Sequence, residues 1–216
     1  MKHILSMSLI TVAALVLTNT AEAQATVTGN VYNDGACGDT WAGSNALVQN
    51  VNTSSNPDCA NINNLATEGV ANTAFGDAAL FSNVTGTVNV AIGPYAVYGN
   101  VSGEANVAVG YGALTSPSAT SFNTAVGHDS MEYDGNDGSY NVALGAYSLL
   151  SNDGQANVAI GYQAMISANT GSNNTAVGTL AMFSNSSGYN NTAGGYGALY
   201  SNGSGFNNTS SGYYAL

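Results

Sequence analysis

A five-residue phrase recurs through residues 69–216 at an almost constant interval. The first copy is Asn72-Thr73-Ala74-Phe75-Gly76, and eight more copies follow. They open at Asn72, Asn89, Asn106, Asn123, Asn141, Asn157, Asn174, Asn191 and Asn208, with intervals of 17, 17, 17, 18, 16, 17, 17 and 17 residues. So regular an interval predicts a solenoid, in which each repeat is one coil that buries its apolar side by stacking on its neighbours.

Each repeat carries two glycines, one closing the phrase and one three residues before the next Asn. Thr120 replaces the second glycine in one repeat. Glycine tolerates positive φ, so the pair predicts two corners per coil, with strands of about four or five residues between them. No 3.6-residue apolar period supports a helix. We therefore predict an all-β fold, a parallel β-roll or β-solenoid of about nine 17-residue coils.

Alternation along each strand puts Asn, Ala and Gly on one face, and Thr or Val with Val or Ile on the other. Because burying larger apolar groups gains more free energy, we expect ten aliphatic side chains to point into the roll, against a Leu/Met series. They are Val90, Ile92, Val107, Val109, Val126, Val142, Leu144, Val158, Ile160 and Val177. The Asn/Ala/Gly face then points outward. Its small residues either admit a closely packed neighbouring chain or merely cap turns and fit the pleat.

The Asn-(Thr/Val)-Ala-(Val/Ile)-Gly phrase, followed by a small residue and Leu, resembles the head repeats of trimeric autotransporter adhesins. Similar repeats occur in phage and bacterial fibre proteins. The resemblance covers about two thirds of the chain. It implies a left-handed parallel β-roll, a homotrimer and adhesion to a host surface or matrix. Family repeats are often shorter than 17 residues, and no heptad stalk or membrane-anchor strands follow the repeats here. The resemblance therefore does not imply surface anchoring.

Residues 1–23 have the pattern of a secretory signal peptide. Lys2 and His3 precede an apolar core from Ile4 to Leu17, and Ala21-Glu22-Ala23 forms a cleavage site. The apolar run is short for a membrane anchor, and no other stretch predicts membrane insertion. We expect a secreted protein, either extracellular or at the cell surface of a bacterium.

Residues 24–68 lack the phrase and contain both cysteines, Cys37 and Cys59. A solenoid needs an atypical unit to cover the apolar edge of its first coil, so we predict that this segment is an N-terminal cap. Two cysteines in an exported chain favour a disulfide. A metal pair is the alternative, although the spacing fits no common zinc motif.

The charge of the chain excludes several partners. The formal net charge is −11, and Lys2 is the single Lys or Arg. Nucleic acid is excluded because phosphate binding needs basic side chains. Direct docking on anionic membranes is disfavoured for the same reason.

Few residues suggest catalysis or metal binding. His128-Asp129-Ser130 contains the residue types of a triad, but neighbours on a strand point apart, so we predict no enzyme. Asp129, Glu132, Asp134 and Asp137 form an acidic cluster in the 18-residue repeat. It is a candidate for Ca²⁺, the one cofactor considered, and the alternative is a turn insertion.

Tyrosines recur at an outer slot directly after the phrase, and Tyr111, Tyr162 and Tyr196 are the predicted binding surface. They either bind sugars or protein, or merely cover the roll. We expect a non-catalytic, adhesin-like protein that attaches to cells, matrix glycoprotein or polysaccharide. The alternative is a structural subunit of an extracellular fibre or matrix. An ice-binding face would need an outward Thr ladder, whereas Thr alternates with Val here. The polar last repeat is either a soluble cap or a docking edge.

Overall fold

The computed structural model describes residues 32–33, 40–42, 71–115, 119–134, 138–167 and 169–216. By its internal contacts the chain divides into two units, Met1–Val31 and Tyr32–Leu216, and every described residue belongs to the second. The predicted signal peptide and both cysteines, Cys37 and Cys59, lie outside the described residues. Export and the disulfide therefore stay predictions.

Thirteen short strands and no helix are present in the described part of the chain. The strands are β1 (Tyr32–Asn33), β2 (Thr40–Ala42), β3 (Thr73–Phe75), β4 (Val90–Ile92), β5 (Val107–Val109), β6 (Thr124–Val126), β7 (Tyr133–Asp134), β8 (Val142–Leu144), β9 (Ser151–Asn152), β10 (Val158–Ile160), β11 (Thr175–Val177), β12 (Thr192–Gly194) and β13 (Thr209–Ser211).

Nine of these strands are the second to fourth residues of the repeat phrase, and they form one continuous parallel ladder. Its order is β3-β4-β5-β6-β8-β10-β11-β12-β13, so eight pairings link the nine strands. The register places each phrase on the same residues of the next, as in Ala74 opposite Ala91. The chain is therefore a parallel β-solenoid of about eight turns, and the predicted fold class is confirmed.

Further strand pairs lie at the start of this ladder and outside it. At its first coil β2 pairs in parallel with β3, and β1 pairs antiparallel with β2. Away from the main sheet, β7 and β9 form a separate parallel pair. The repeat strands are three residues long, shorter than the four or five predicted, and turns follow the strand in most coils.

The prediction of which face points inward is wrong. The Ala of the phrase is fully buried in each repeat that has one, whereas Ile92 is 41% and Val177 43% exposed. None of the ten aliphatic residues expected inside belongs to the buried core. A 17-residue coil encloses a narrow space, which one Leu, Met or Val, two small residues and the repeat Asn fill. The predicted Leu/Met series is internal in eight repeats, whereas its last member, Leu216, is 84% exposed. The internal residues are Leu80, Val97, Leu114, Met131, Leu149, Met165, Met182 and Leu199.

The repeat Asn side chains point into this narrow space and bond along the stack. Asn106 Nδ2 donates to Asn89 Oδ1 (3.1 Å) and to the Thr120 carbonyl (2.8 Å). Asn106 Oδ1 accepts the backbone N–H of Asn123 (3.1 Å). A buried amide with its donors and acceptor paired costs little, so the ladder makes the polar interior stable.

A second column of buried Asn runs parallel to the first. Asn100 Nδ2 donates to Asn83 Oδ1 (2.7 Å), and similar bonds join Asn152, Asn169 and Asn185. Between Asn100 and Asn152 no described residue continues this column. Thr120 is buried in that interval, and no described residue offers a hydrogen bond to its Oγ1.

The glycine that closes the phrase is required by the stack. Gly161 has φ +133°, and a Cβ added there would lie 2.6 Å from the carbonyl carbon of Gly178 in the next coil. Contacts of this kind recur along the phrase glycines because adjacent corners are in close backbone contact. This explains Gly in the first eight repeats, and Gly212 in the last repeat has no such contact but shares the positive φ (+130°).

Candidate binding surfaces

The side chains that alternate with the inward Asn and Ala form an outward surface, which we call the apolar face. It comprises the residues one before, one after and three after each repeat Asn, in the six repeats from Asn72 to Asn157. They are Ala71, Thr73, Phe75, Val88, Val90, Ile92, Ala105, Val107, Val109, Phe122, Thr124, Val126, Tyr140, Val142, Leu144, Ala156, Val158 and Ile160. Sixteen of these eighteen residues are apolar and none is charged.

The residues that precede the repeat Asn adopt the unfavourable left-handed backbone conformation. Val88 has φ +59° and is 58% exposed, and Tyr140 has φ +62° and is 59% exposed. Phe122, also exposed, has φ +60°. The left-handed region costs a non-glycine residue about 1–2 kcal/mol, and most for a β-branched one. Large apolar side chains that are both strained and exposed are typical of a contact surface.

The apolar face ends at the seventh repeat. There the position before the repeat Asn changes to Asn173, then Asn190 and Asn207, which tolerate positive φ better. On the far side of the strand, Gly194 and Ser211 replace the aliphatic residue in the last two repeats. The outward surface of the last two repeats is therefore polar.

A second surface is a column of rings at the next corner, which we call the tyrosine column: Tyr95, Tyr111, His128, Tyr147 and Tyr162. Consecutive ring centroids are 5.7, 5.2, 5.4 and 6.1 Å apart. Tyr111, His128 and Tyr162 lie one residue after the phrase glycine, and Tyr95 and Tyr147 lie two after. Rings from the same slot stack (20° for Tyr111 and His128), whereas rings from different slots are tilted by 56–83°.

The structure brings together two of the three predicted binding tyrosines and separates the third. Tyr111 and Tyr162 belong to the tyrosine column. Thr179 occupies the ring slot of the following repeat, and Tyr196 lies beyond it in a cluster with Tyr213 and Tyr214. A hydrogen bond with the Tyr196 side chain, together with smaller contributions from desolvation and neighbouring phenols, raises the pKa of Tyr214 above its ordinary value.

The His128-Asp129-Ser130 stretch does not converge on one point. His128 is exposed in the tyrosine column, and its Nδ1 lies 2.9 Å from Asp129 Oδ2. Ser130 is buried, and its Oγ donates to the Gly127 carbonyl inside the coil (3.3 Å). His128-Asp129-Ser130 lies in a turn rather than on a strand, so strand alternation does not apply, and Ser130 is buried while His128 is exposed.

The acidic cluster can be placed only in part. Asp137 and the side chain of Asp134 lie outside the described residues, and Asp129 faces His128. Among the side chains that are described, no group of three His, Cys, Asp or Glu could hold a metal ion. The Ca²⁺ site stays a prediction.

Comparisons with protein-family models, curated proteins and solved structures found no match to this chain. In the described residues there is also no helix long and apolar enough to cross a bilayer. The likeness to adhesin heads therefore rests on the repeat phrase and on a parallel β-solenoid that is compatible with it.

Proposed function

We propose that this is a secreted, non-catalytic, adhesin-like binding protein whose copies associate through the apolar face, as a homotrimer, and present the tyrosine column outward. The observation that carries the proposal is the apolar face itself. Its sixteen apolar residues are left in contact with solvent by the fold of a single chain. Contiguous exposed apolar patches on soluble proteins mark interaction sites.

A second copy of this chain is the partner that fits best. The face repeats once per coil, at about 4.8 Å. Any partner must match this period over six coils, and an identical copy does so by construction. Charge supports the same choice, because two chains of net charge −11 repel one another except where they meet through an uncharged surface.

The trimeric state and the adhesive role come from the resemblance to autotransporter heads. The small Asn/Ala/Gly surface, first expected to be the interface, is internal, so the apolar face replaces it in the proposal. A trimer presents three copies of the tyrosine column, and many weak contacts to one target then add up to a high avidity. The proposed targets are cells, matrix glycoprotein or polysaccharide.

The association is tested by light scattering after size-exclusion chromatography of the mature protein at micromolar concentration. Val107→Asp places a carboxylate in the middle of the apolar face. Thr192→Asp is the matched control, since it changes the same repeat position in a repeat whose outward surface is polar. We expect the wild type and Thr192→Asp to be trimers and Val107→Asp to be a monomer with an unchanged circular dichroism spectrum.

A monomeric wild type would refute association, and a trimeric Val107→Asp protein would refute the assignment of the face. The fibre alternative predicts a different result. A protein that binds no cell, glycoprotein or polysaccharide, but polymerises end to end under electron microscopy, is a structural subunit.

A further inference from the structure

We infer that the tyrosine column binds one chain of a neutral, extended β-1,4-linked polysaccharide of the cellulose or chitin type. This rests on the proposed function, because it names the ligand of that binding protein. The column is a surface independent of the apolar face, lying after the phrase glycine rather than around the repeat Asn.

The spacing of the rings is the main argument. Successive centroids are 5.2–6.1 Å apart over five coils. This spacing is close to the advance of one sugar in an extended β-1,4-linked glycan. Aromatic rings pack against the apolar C–H faces of pyranose sugars, and Tyr adds a hydroxyl that bonds to sugar hydroxyls. A column with this period offers one ring to each of about five consecutive sugars.

The tilt of the rings in the tyrosine column also favours sugar binding. Elsewhere in the solenoid, rings from the same position of successive repeats are nearly parallel, such as Tyr189 and Phe206 at 4° and Phe183 and Tyr200 at 2°. In a parallel stack each ring covers the face of its neighbour. Three of the four contacts in the tyrosine column are tilted by 56° or more, which leaves more ring surface uncovered. Tyr95, Tyr111 and Tyr162 are all exposed.

The negative charge of the chain favours a neutral polysaccharide over an anionic one. The chain has a net charge of −11 and a single Lys or Arg, Lys2, outside the repeats. A uronic-acid or sulfated glycan would be repelled and would find no Lys or Arg along the column. A neutral chain meets no such penalty. Thr179 interrupts the rings after Tyr162, so the strip ends there and Tyr196 lies outside it.

The experiment measures depletion of the mature protein from solution by microcrystalline cellulose and by chitin, with soluble cellohexaose and chitohexaose as competitors. Tyr111→Ser/Tyr162→Ser removes two rings of the column. Tyr189→Ser/Phe206→Ser is the matched control, because it removes two exposed rings away from both the column and the apolar face. We expect the column variant to bind about tenfold or more weakly, and the control to match the wild type.

Light scattering on the same samples separates this inference from the proposed function. Trimers that bind neither cellulose nor chitin overturn the inference and leave association intact. Equal losses in the column variant and the control, or stronger binding to polygalacturonate than to cellulose, overturn it as well. Hexasaccharides that compete far better than the corresponding disaccharides support a strip several sugars long.

Discussion

Removing one amide from the inner Asn ladder is the sharpest test of the fold. Asn106→Ala leaves the backbone N–H of Asn123 and the carbonyl of Thr120 without the partners that the Asn106 side chain supplies at 3.1 and 2.8 Å. Each buried polar group that loses its partner costs about 1–3 kcal/mol, so the two together cost about 2–6 kcal/mol.

A loss of this size is large against the roughly 5–15 kcal/mol that stabilise a typical domain. It is measured by equilibrium unfolding in urea. Gln155→Ala is the control, because it removes an exposed carboxamide, and we expect it to change stability by no more than about 0.5 kcal/mol. Should Asn106→Ala cost no more than Gln155→Ala, the Asn side chains do not point inward as described.

Two further predictions concern the corners and the N-terminal segment. Gly161→Ala should cost several kcal/mol in thermal unfolding, because the new Cβ would lie 2.6 Å from the Gly178 carbonyl carbon. Gly203 has open space around it, so Gly203→Ala should cost only about 1–2 kcal/mol for its positive φ. Equal losses in the two variants would contradict the close-contact argument. Cys37 and Cys59 should be joined, so intact-mass measurement after alkylation should show two modified thiols only when reductant is added, and two free thiols without reductant would refute the bridge.

The repeat phrase was sufficient to predict the class of fold. Asn, Ala and Gly at fixed positions and a 17-residue interval leave a parallel solenoid as the arrangement in which each phrase pairs with the next. Alternation also divides the residues correctly into two faces. It does not say which face is inside, and the usual preference for burying Val and Ile gave the wrong answer.

Asn and Ala point inward and Val and Ile outward for a physical reason that a single repeat does not reveal. An isolated Asn such as Asn106 is expensive to bury. In a stack it bonds to Asn89 below and to Asn123 above, and this bond exists only once the coils are in register. The cost of burying the amide therefore vanishes at the level of the assembled solenoid. The interior can then be narrow, with Ala rather than Val along the strand.

The surfaces were predictable to different extents. The recurrence of Tyr after the phrase glycine indicated an outer slot, but not that rings alternate between two slots, nor that Thr179 separates Tyr196 from Tyr162. The strained residues Val88, Phe122 and Tyr140 were missed. A signal was present, because the residue before the repeat Asn is apolar in six repeats and is Asn in the last three.

The last two repeats show that the apolar face is not needed for folding. Strands β12 and β13 keep the parallel register, with Ala193 opposite Ser210, although Gly194 and Ser211 replace the outward aliphatic residues. Their interior still holds Asn191, Ala198 and Leu199. A coil therefore closes without Val or Ile on its outer side. Six repeats nevertheless keep apolar residues there, three of them large and strained, and these residues are the basis for the proposed association of copies.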